Sequence, residues 1–354
     1  MDKIKIAIIG VGNCASSLIQ GLTYYKDVDE NSGFVPGILH NVIGGYKIRD
    51  IECVAAFDVN VTKVGKDLSE AIFAFPNCAE KFCDVPSLGV TVMKGPIMDG
   101  LGNNLKELIT TDPGQKEVDI AAVLRETKVE ILINYLPTGS QKATEYYANQ
   151  ALSAGCGFIN AIPEFIASNK NWEEKFRKAS LPIAGDDIKS QLGATILHRA
   201  IVDLMIKRGV LIENNYQINF GGNADFLNLA EEVRLESKQI SKNEAVKSII
   251  PYDGHTLVTL PLYTSSHQDT KICYINIDGK NFGNCPLSID IKLKVEDSPN
   301  SAGVMVDIIR AMKIAQKRGL SGSIDEVCSF CFKRPPRQIT DNEAYYLLEN
   351  FING

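Results

Sequence analysis

From its first residues the chain alternates short apolar runs with amphipathic stretches. Ile4 to Ile9 is apolar and largely β-branched, interrupted by Lys5, and predicts a strand buried in a parallel sheet. Gly10-Val11-Gly12-Asn13-Cys14-Ala15 follows at once, and Ser16 to Leu22 predicts a helix with Leu18, Ile19 and Leu22 on one side. A second strand runs from Glu52 to Phe57 and ends at Asp58. The Gly- and Pro-containing stretch between them, Asp27 to Asp50, is too long for an ordinary connection and should make contacts of its own. Val129–Asn134, Cys156–Asn160 and Leu181–Gly185 read as further short strands. A helix carries Ala143, Tyr146, Tyr147, Gln150 and Ala151 near one face and stops at Gly155. Strands separated by helical segments predict a parallel α/β sheet.

After residue 210 the pattern changes. Tyr216–Phe220, His255–Tyr263 and Lys271–Ile277 read as strands with little helix between them. Leu287, Ile289, Ile291, Leu293 and Val295 alternate with Ser288, Asp290, Lys292 and Lys294, the period of an antiparallel strand covered on one face. A helix resumes over Gly303 to Lys317. The expected architecture is α/β: a Rossmann-type parallel-sheet domain over 1–200 and 300–354, with an α+β domain inserted at 201–299.

Composition narrows the function classes. The formal net charge of −6 argues against a general nucleic-acid or membrane-surface binder, while leaving room for a local basic pocket. No apolar run approaches the roughly 18 residues of a membrane helix, and the strand-like start is unlike a signal peptide. Nine scattered cysteines suit a reducing cytoplasm rather than a disulfide framework. Cys328 and Cys331 form a lone CxxC, and Cys78 and Cys83 are wrongly spaced to complete a zinc site with it.

The strand–glycine turn–helix unit suits a dinucleotide. Gly10 and Gly12 permit a tight turn and close approach of backbone to a pyrophosphate, and Ala15 stands where a third glycine often packs helix on strand. Unpaired N–H groups at the helix start favour the phosphates. Asp58 could accept from the ribose hydroxyls, favouring NAD over NADP, although it follows Gly12 by 46 residues instead of about 20. The inserted stretch accounts for the excess.

In the second half, Lys238 and Lys242 would share a helix face, where like charges cost about 0.2–0.5 kcal/mol unless an anion lies between them. Alternatively Ser241 caps a new helix with Glu244, or both lysines are simply solvated. Asp186 and Asp187, after a strand, either face the ligand crevice or complement a helix dipole. Glu296-Asp297-Ser298 has the same ambiguity, and Gly221-Gly222-Asn223 suits close backbone approach.

Taken together, the segments GVGNCASSLIQG, VAAFDVN, NYLPTGS, GFINAIPEFIAS, PIAGDDIKSQLGAT, NFGGNADFLNL, RLESKQISK, VEDSPNSAGV and CFKRPP resemble the myo-inositol-1-phosphate synthase family, especially its shorter prokaryotic members. The resemblance implies an enzyme in which NAD oxidises C5 of glucose 6-phosphate, the C6 carbon closes on the C1 aldehyde, and the same NADH reduces the ring ketone to give 1D-myo-inositol 3-phosphate. It implies catalytic roles for Lys238, Lys242, Lys271 and Lys333, with Asp187, Asp225 and Asn223 orienting lysines, sugar or nicotinamide. Cofactor contacts carry over onto Gly10, Gly12, Asn13, Cys14, Ala15, Asp58, Asn60, Leu136, Pro137, Thr138, Asn160, Ala161, Asp186 and Asp297. Asp297 and Ser298 match a cation position, for Mg²⁺ or Zn²⁺. The family also implies assembly through the inserted sheet, usually into tetramers. The competing reading is a conventional NAD-dependent dehydrogenase of a small phosphorylated or amino-acid-derived substrate.

Overall fold

The computed structural model describes residues 2–252 and 255–354. Its strands, in chain order, are β1 (Ile4–Ile9), β2 (Ile51–Asp58), β3 (Val92–Lys94), β4 (Ile131–Asn134), β5 (Gly157–Asn160), β6 (Pro182–Ala184), β7 (Leu211–Gly221), β8 (His255–Tyr263), β9 (Thr270–Lys280), β10 (Pro286–Glu296) and β11 (Gly322–Ser323). They form a seven-stranded sheet, ordered β11-β6-β5-β4-β1-β2-β3, and a four-stranded sheet, ordered β10-β9-β7-β8.

All pairings in the larger sheet are parallel. Its longer strands read as mainly apolar runs because both faces are covered. Ile4, Ile6 and Ile8 enter one core layer with Leu18 and Ile19 of helix Asn13–Tyr24 and Met305, Ile308 and Ile309 of helix Asp297–Lys317. Ala7 and Ile9 enter the other, with Leu124, Tyr147 and Phe176 from three further helices. Each fully buried Ile, Leu, Met or Phe side chain among them contributes about 1.5–3 kcal/mol. The winding reverses between β1 and β4, so the crevice beyond their carboxyl ends is where a doubly wound sheet takes its ligand.

The smaller sheet departs from the expected antiparallel pattern. β10 with β9 and β9 with β7 are antiparallel, but β7 and β8 are parallel. Helices Ala224–Asn228 and Glu236–Lys247 fill the crossover where the sequence reading expected little helix. The reason lies in Glu236–Lys247 itself: its buried residues include Ser241 and Lys242, so it has no apolar stripe to betray it. One face of this sheet packs Ile212, Cys273, Ile275 and Ile277 against Val202, Met205 and Val246.

The long Asp27–Asp50 stretch makes its own contacts, as expected. Arg310, fully buried, donates to the carbonyls of His40 and Asn41. His40 Nδ1 lies 2.6 Å from Asp307 Oδ2, and its Nε2 lies 2.7 Å from Glu349 Oε1. Burial opposes charge on the imidazole, but the hydrogen bonds and charges of the two carboxylates outweigh it and raise its pKa. A His whose pKa rises on folding stabilises the fold fully below its ordinary 6.5, and that contribution disappears as pH climbs through the folded value. Denaturation at pH 6 should therefore find His40→Gln less stable than wild type by about 1–3 kcal/mol, with the gap narrowing above neutrality. A gap independent of pH would show that the charged ring is not what holds this loop.

Candidate active site

The carboxyl ends of β1, β2 and β4 converge on one cavity. Gly10 has φ +83°, and a Cβ there would stand 2.7 Å from the Tyr135 carbonyl oxygen, so only glycine lets the turns after β1 and β4 touch. A Cβ on Gly12 would meet nothing within 4 Å. That open space lies at the start of helix Asn13–Tyr24, which no side chain caps. Asp58 accepts from Val11 N at 2.8 Å with one oxygen and from Val59 N and Asn60 N with the other, tying the first two loops together. The buried Lys63 adds a second tie, donating to Val11 O and Asn77 Oδ1; burial lowers its pKa against the pull of Asp58. Asn13 Oδ1 accepts from Cys78 N and Ala79 N. Burial pushes the Cys14 thiol to about 12, so it enters the wall as a neutral group. Turn, helix start and acid together fit a dinucleotide.

The same cavity runs on to the lysines. Gly10, Gly12, Asn13, Cys14, Asp58, Leu136, Pro137, Thr138 and Ala161 line it together with Asp187, Asn223, Asp225, Lys238, Lys242, Lys271, Asp297, Ser298 and Lys333. Glu236–Lys247 is one continuous helix, which decides between the two readings of its sequence: Lys238 and Lys242 do share a face, and Ser241 lies mid-helix. Ser241 Oγ donates to Asp187 Oδ2 at 2.7 Å, and Lys333 Nζ lies 2.7 Å from the other oxygen. Asp187 itself has φ +61°, an unfavourable backbone region for a non-glycine residue that is held here by its surroundings. Lys238 pairs with the Asp225 carboxylate, which also accepts from Thr138 Oγ1 at 3.1 Å. Lys271 lies 3.2 Å from Asp297 Oδ1.

These pairings divide the cations electrostatically. Burial opposes the charge of Lys238, but Asp225 and Asp187 outweigh it and raise its pKa. Burial lowers Lys333, with Asp187 in partial opposition. Lys242 is buried and crowded by Lys271, Lys238 and Lys333, and its pKa falls to about 7. It can therefore give and take a proton near neutrality.

Four expected contacts stand outside the cavity lining. Asp186, fully buried, accepts from Asn160 Nδ2, Ile166 N, Ala167 N and both donors of Ser168. Burial lifts it to about 6 against these donors. It shapes the loop after β5 from behind, and Asn160 links it to Asn134. Ala15 packs in the core between helix and sheet. Asn60 supports Asp58 through its N–H and Phe75 O through its side chain.

Asp269 has a place here that the sequence reading missed. It accepts from Asn223 Nδ2, Ser298 N and Ser298 Oγ, and burial with the Asp297 charge lifts its pKa to about 6. The available signal was its position just before the strand that carries Lys271. Ser298 is thus committed to Asp269, and Asp297 to Lys271. No group of three or more His, Cys, Asp or Glu suited to a metal occurs among the described residues.

The family model described as Myo-inositol-1-phosphate synthase matches residues 193–298, the stretch carrying Lys238, Lys242 and Lys271. The chain is 47% identical to an inositol-3-phosphate synthase of Mycolicibacterium smegmatis, covering 99% of this chain and 98% of that one. The chain belongs to the myo-inositol-1-phosphate synthase family. An inositol-3-phosphate synthase of Corynebacterium glutamicum is 46% identical with the same coverages. In fold, a myo-inositol-1-phosphate synthase-related protein of Thermotoga maritima superimposes with a TM-score of 0.81 at 24% identity, over 99% of this chain and 98% of that one.

The two glycines of the turn should separate stability from binding. Gly10→Ala should destabilise the protein by about 1–3 kcal/mol through the forced φ and the Tyr135 clash. Gly12→Ala should leave stability within about 0.5 kcal/mol yet weaken dinucleotide binding tenfold or more, since its Cβ enters the open space. Melting curves and titration calorimetry check both; undiminished affinity in Gly12→Ala would move the dinucleotide elsewhere.

Proposed function

We infer that this chain is an inositol-3-phosphate synthase that converts D-glucose 6-phosphate to 1D-myo-inositol 3-phosphate. The observation that carries this reading is the convergence of Lys238, Lys242, Lys271 and Lys333 in the cavity bounded by the Gly10–Gly12 turn. A simple dehydrogenase needs one proton acceptor beside its cofactor. A cyclisation through an enolate must also neutralise a phosphate and two oxygens that become anionic, and clustered ammonium groups suit that need.

NAD in the Gly10–Gly12 cleft would supply the reversible oxidation at C5, with Asp58 at the ribose end. Lys242 takes the C5 hydroxyl proton as a near-neutral base and later returns it. Lys238, held charged by Asp225, stabilises the C5 oxyanion while the C6 proton is removed, either by a lysine or by the substrate's own phosphate. C6 then bonds to C1, and the aldehyde oxygen collects a proton as its double bond becomes a hydroxyl. Lys271 and Lys333 hold the phosphate and polarise these oxygens. No step is assigned to a divalent cation.

The division into a cofactor unit, 1–200 with 300–354, and an inserted catalytic and assembly unit, 201–299, belongs to this reading. Exposed Tyr216, Tyr274, Leu257 and Leu262 on the four-stranded sheet support assembly through it, as a tetramer. The nine cysteines are all free, which supports a cytoplasmic setting. No helix among the described residues is long and apolar enough to cross a membrane.

Protein stripped of nucleotide, given glucose 6-phosphate and a trace of NAD, should form many equivalents of inositol phosphate by phosphorus NMR without accumulating NADH. NADH rising in step with product would establish an ordinary dehydrogenase instead. Lys242→Ala should reduce turnover about 10²–10³-fold. In the wild type kcat/KM should fall as pH drops below about 7, because the protonated ammonium of Lys242 cannot act as a base. A flat profile through neutrality would take Lys242 out of proton transfer.

A further inference from the structure

The connection from β3 to helix Ile120–Glu126 contains only the short helix Asn103–Leu108, yet it forms a wall of the cavity. Ile97, Leu101, Leu105 and Ile109 line that cavity along with Asp58 and the glycine turn, and Gly95 N, just before them, donates to Asp58 O. Both ends of the connection are fastened to the large sheet's side of the molecule. Val61 N donates to Thr110 O and Val118 N to Lys94 O, and Lys94 Nζ donates to Asp112 O and Gln115 O.

The middle of the segment is fastened to the other side, just before the lysine helix. Arg234 Nη2 donates to Asp99 O at 2.5 Å, Asn104 N donates to Glu231 Oε1 at 2.5 Å, and Asn104 Nδ2 donates to Leu227 O at 3.1 Å. Arg234 is buried, with Glu231 4.0 Å from its Nε. Its side chain passes between two glycines: a Cβ on Gly102 would stand 2.4 Å from its Nε, and one on Gly139 2.8 Å from its Cγ. Its Nη1 donates to Thr138 O at 3.0 Å, which also accepts from Asn228 Nδ2, while the next N–H, of Gly139, donates to Glu164 Oε1. Thr138 in turn donates to Asp225, the partner of Lys238. One guanidinium therefore joins the wall over the dinucleotide end to the loop that orients a reacting lysine.

Such a link matters in a reaction that must give back what it takes. Reduced cofactor lost before ring closure and reduction strands the enzyme with a ketone it cannot finish. We propose that Arg234 is a positioning residue that latches residues 96–109 over the dinucleotide and keeps NADH bound until the ring ketone is reduced. This rests on the functional reading above. It is a role in cofactor retention, distinct from any contact with substrate.

The test uses full-length protein with Arg234→Met, Arg234→Lys and, on the wall itself, Asn104→Ala. Two quantities are read: the NADH dissociation rate without substrate, by stopped-flow fluorescence, and the NADH escaping per inositol phosphate formed, trapped by excess lactate dehydrogenase and pyruvate. Arg234→Met removes the hydrogen bonds to Thr138 O and Asp99 O; it should release NADH about tenfold faster, the effect of losing the one that reaches the wall, and leak proportionately more of it per product. Arg234→Lys should recover part of the retention, and Asn104→Ala should show the same direction with a smaller size. If Arg234→Met does not fold, the Asn104→Ala comparison carries the decision. Slower turnover with unchanged dissociation and unchanged leakage would reduce Arg234 to a packing role and overturn the latch. A wild type that forms no inositol phosphate would sink the functional reading instead, whatever the NADH rates.

Discussion

Four ammonium groups brought into one buried cavity repel one another, and the rest of the site is arranged around that repulsion. Asp225, Asp187 and Asp297 each take one lysine, and Lys242 stands in none of these pairs. Burial and its three cationic neighbours push its pKa to about 7. The cavity is thus poised between being neutralised by loss of that proton and being neutralised by an incoming anion. A phosphorylated sugar whose oxygens gain charge during reaction supplies the anion where the cations already stand, with no reorganisation needed at the moment of reaction.

Holding such a cluster needs a scaffold that does not relax. The lysines come from distant places: two from one helix, one from β9 and one from the segment after helix Asp325–Cys331. The carboxylates that pin them are pinned in turn, Asp187 by Ser241 and its own strained backbone, Asp225 by Thr138. Behind the wall, Asp186 and Asp269 satisfy buried N–H and hydroxyl groups that would otherwise be stranded. Because Thr138 belongs to the loop after β4, the sheet that carries the dinucleotide turn also sets the position of a lysine's partner.

Much of this was legible in the sequence, for identifiable reasons. β1, β4 and the Gly10–Gly12 turn stand out because a strand covered on both faces must be largely apolar, and a turn where a Cβ would stand 2.7 Å from a neighbouring carbonyl oxygen must lack a side chain. The four lysines were named from the family resemblance. Their convergence was not visible in spacing, because a helix with its charged face inward carries no apolar period, and Glu236–Lys247 consequently went unread as a crossover. The resemblance carries cofactor contacts onto Asp186 and Asn160; here Asp186 instead accepts from Asn160 and from the 166–168 loop after β5, and neither lines the cavity. The stretch from Val59 to Pro113 offered little periodicity, its helices being four and six residues long, so the wall over the dinucleotide and its Arg234 tie emerge only in three dimensions.

The central claim is that crowding by like charges leaves Lys242 close to neutrality in the resting cavity. Nitrogen NMR of lysine-labelled protein, assigned by comparison with Lys242→Arg, measures it directly. One ammonium should titrate near pH 7 and move upward when inorganic phosphate fills the cavity. A Lys242 titrating at its ordinary 10.5, indifferent to phosphate, would contradict the account.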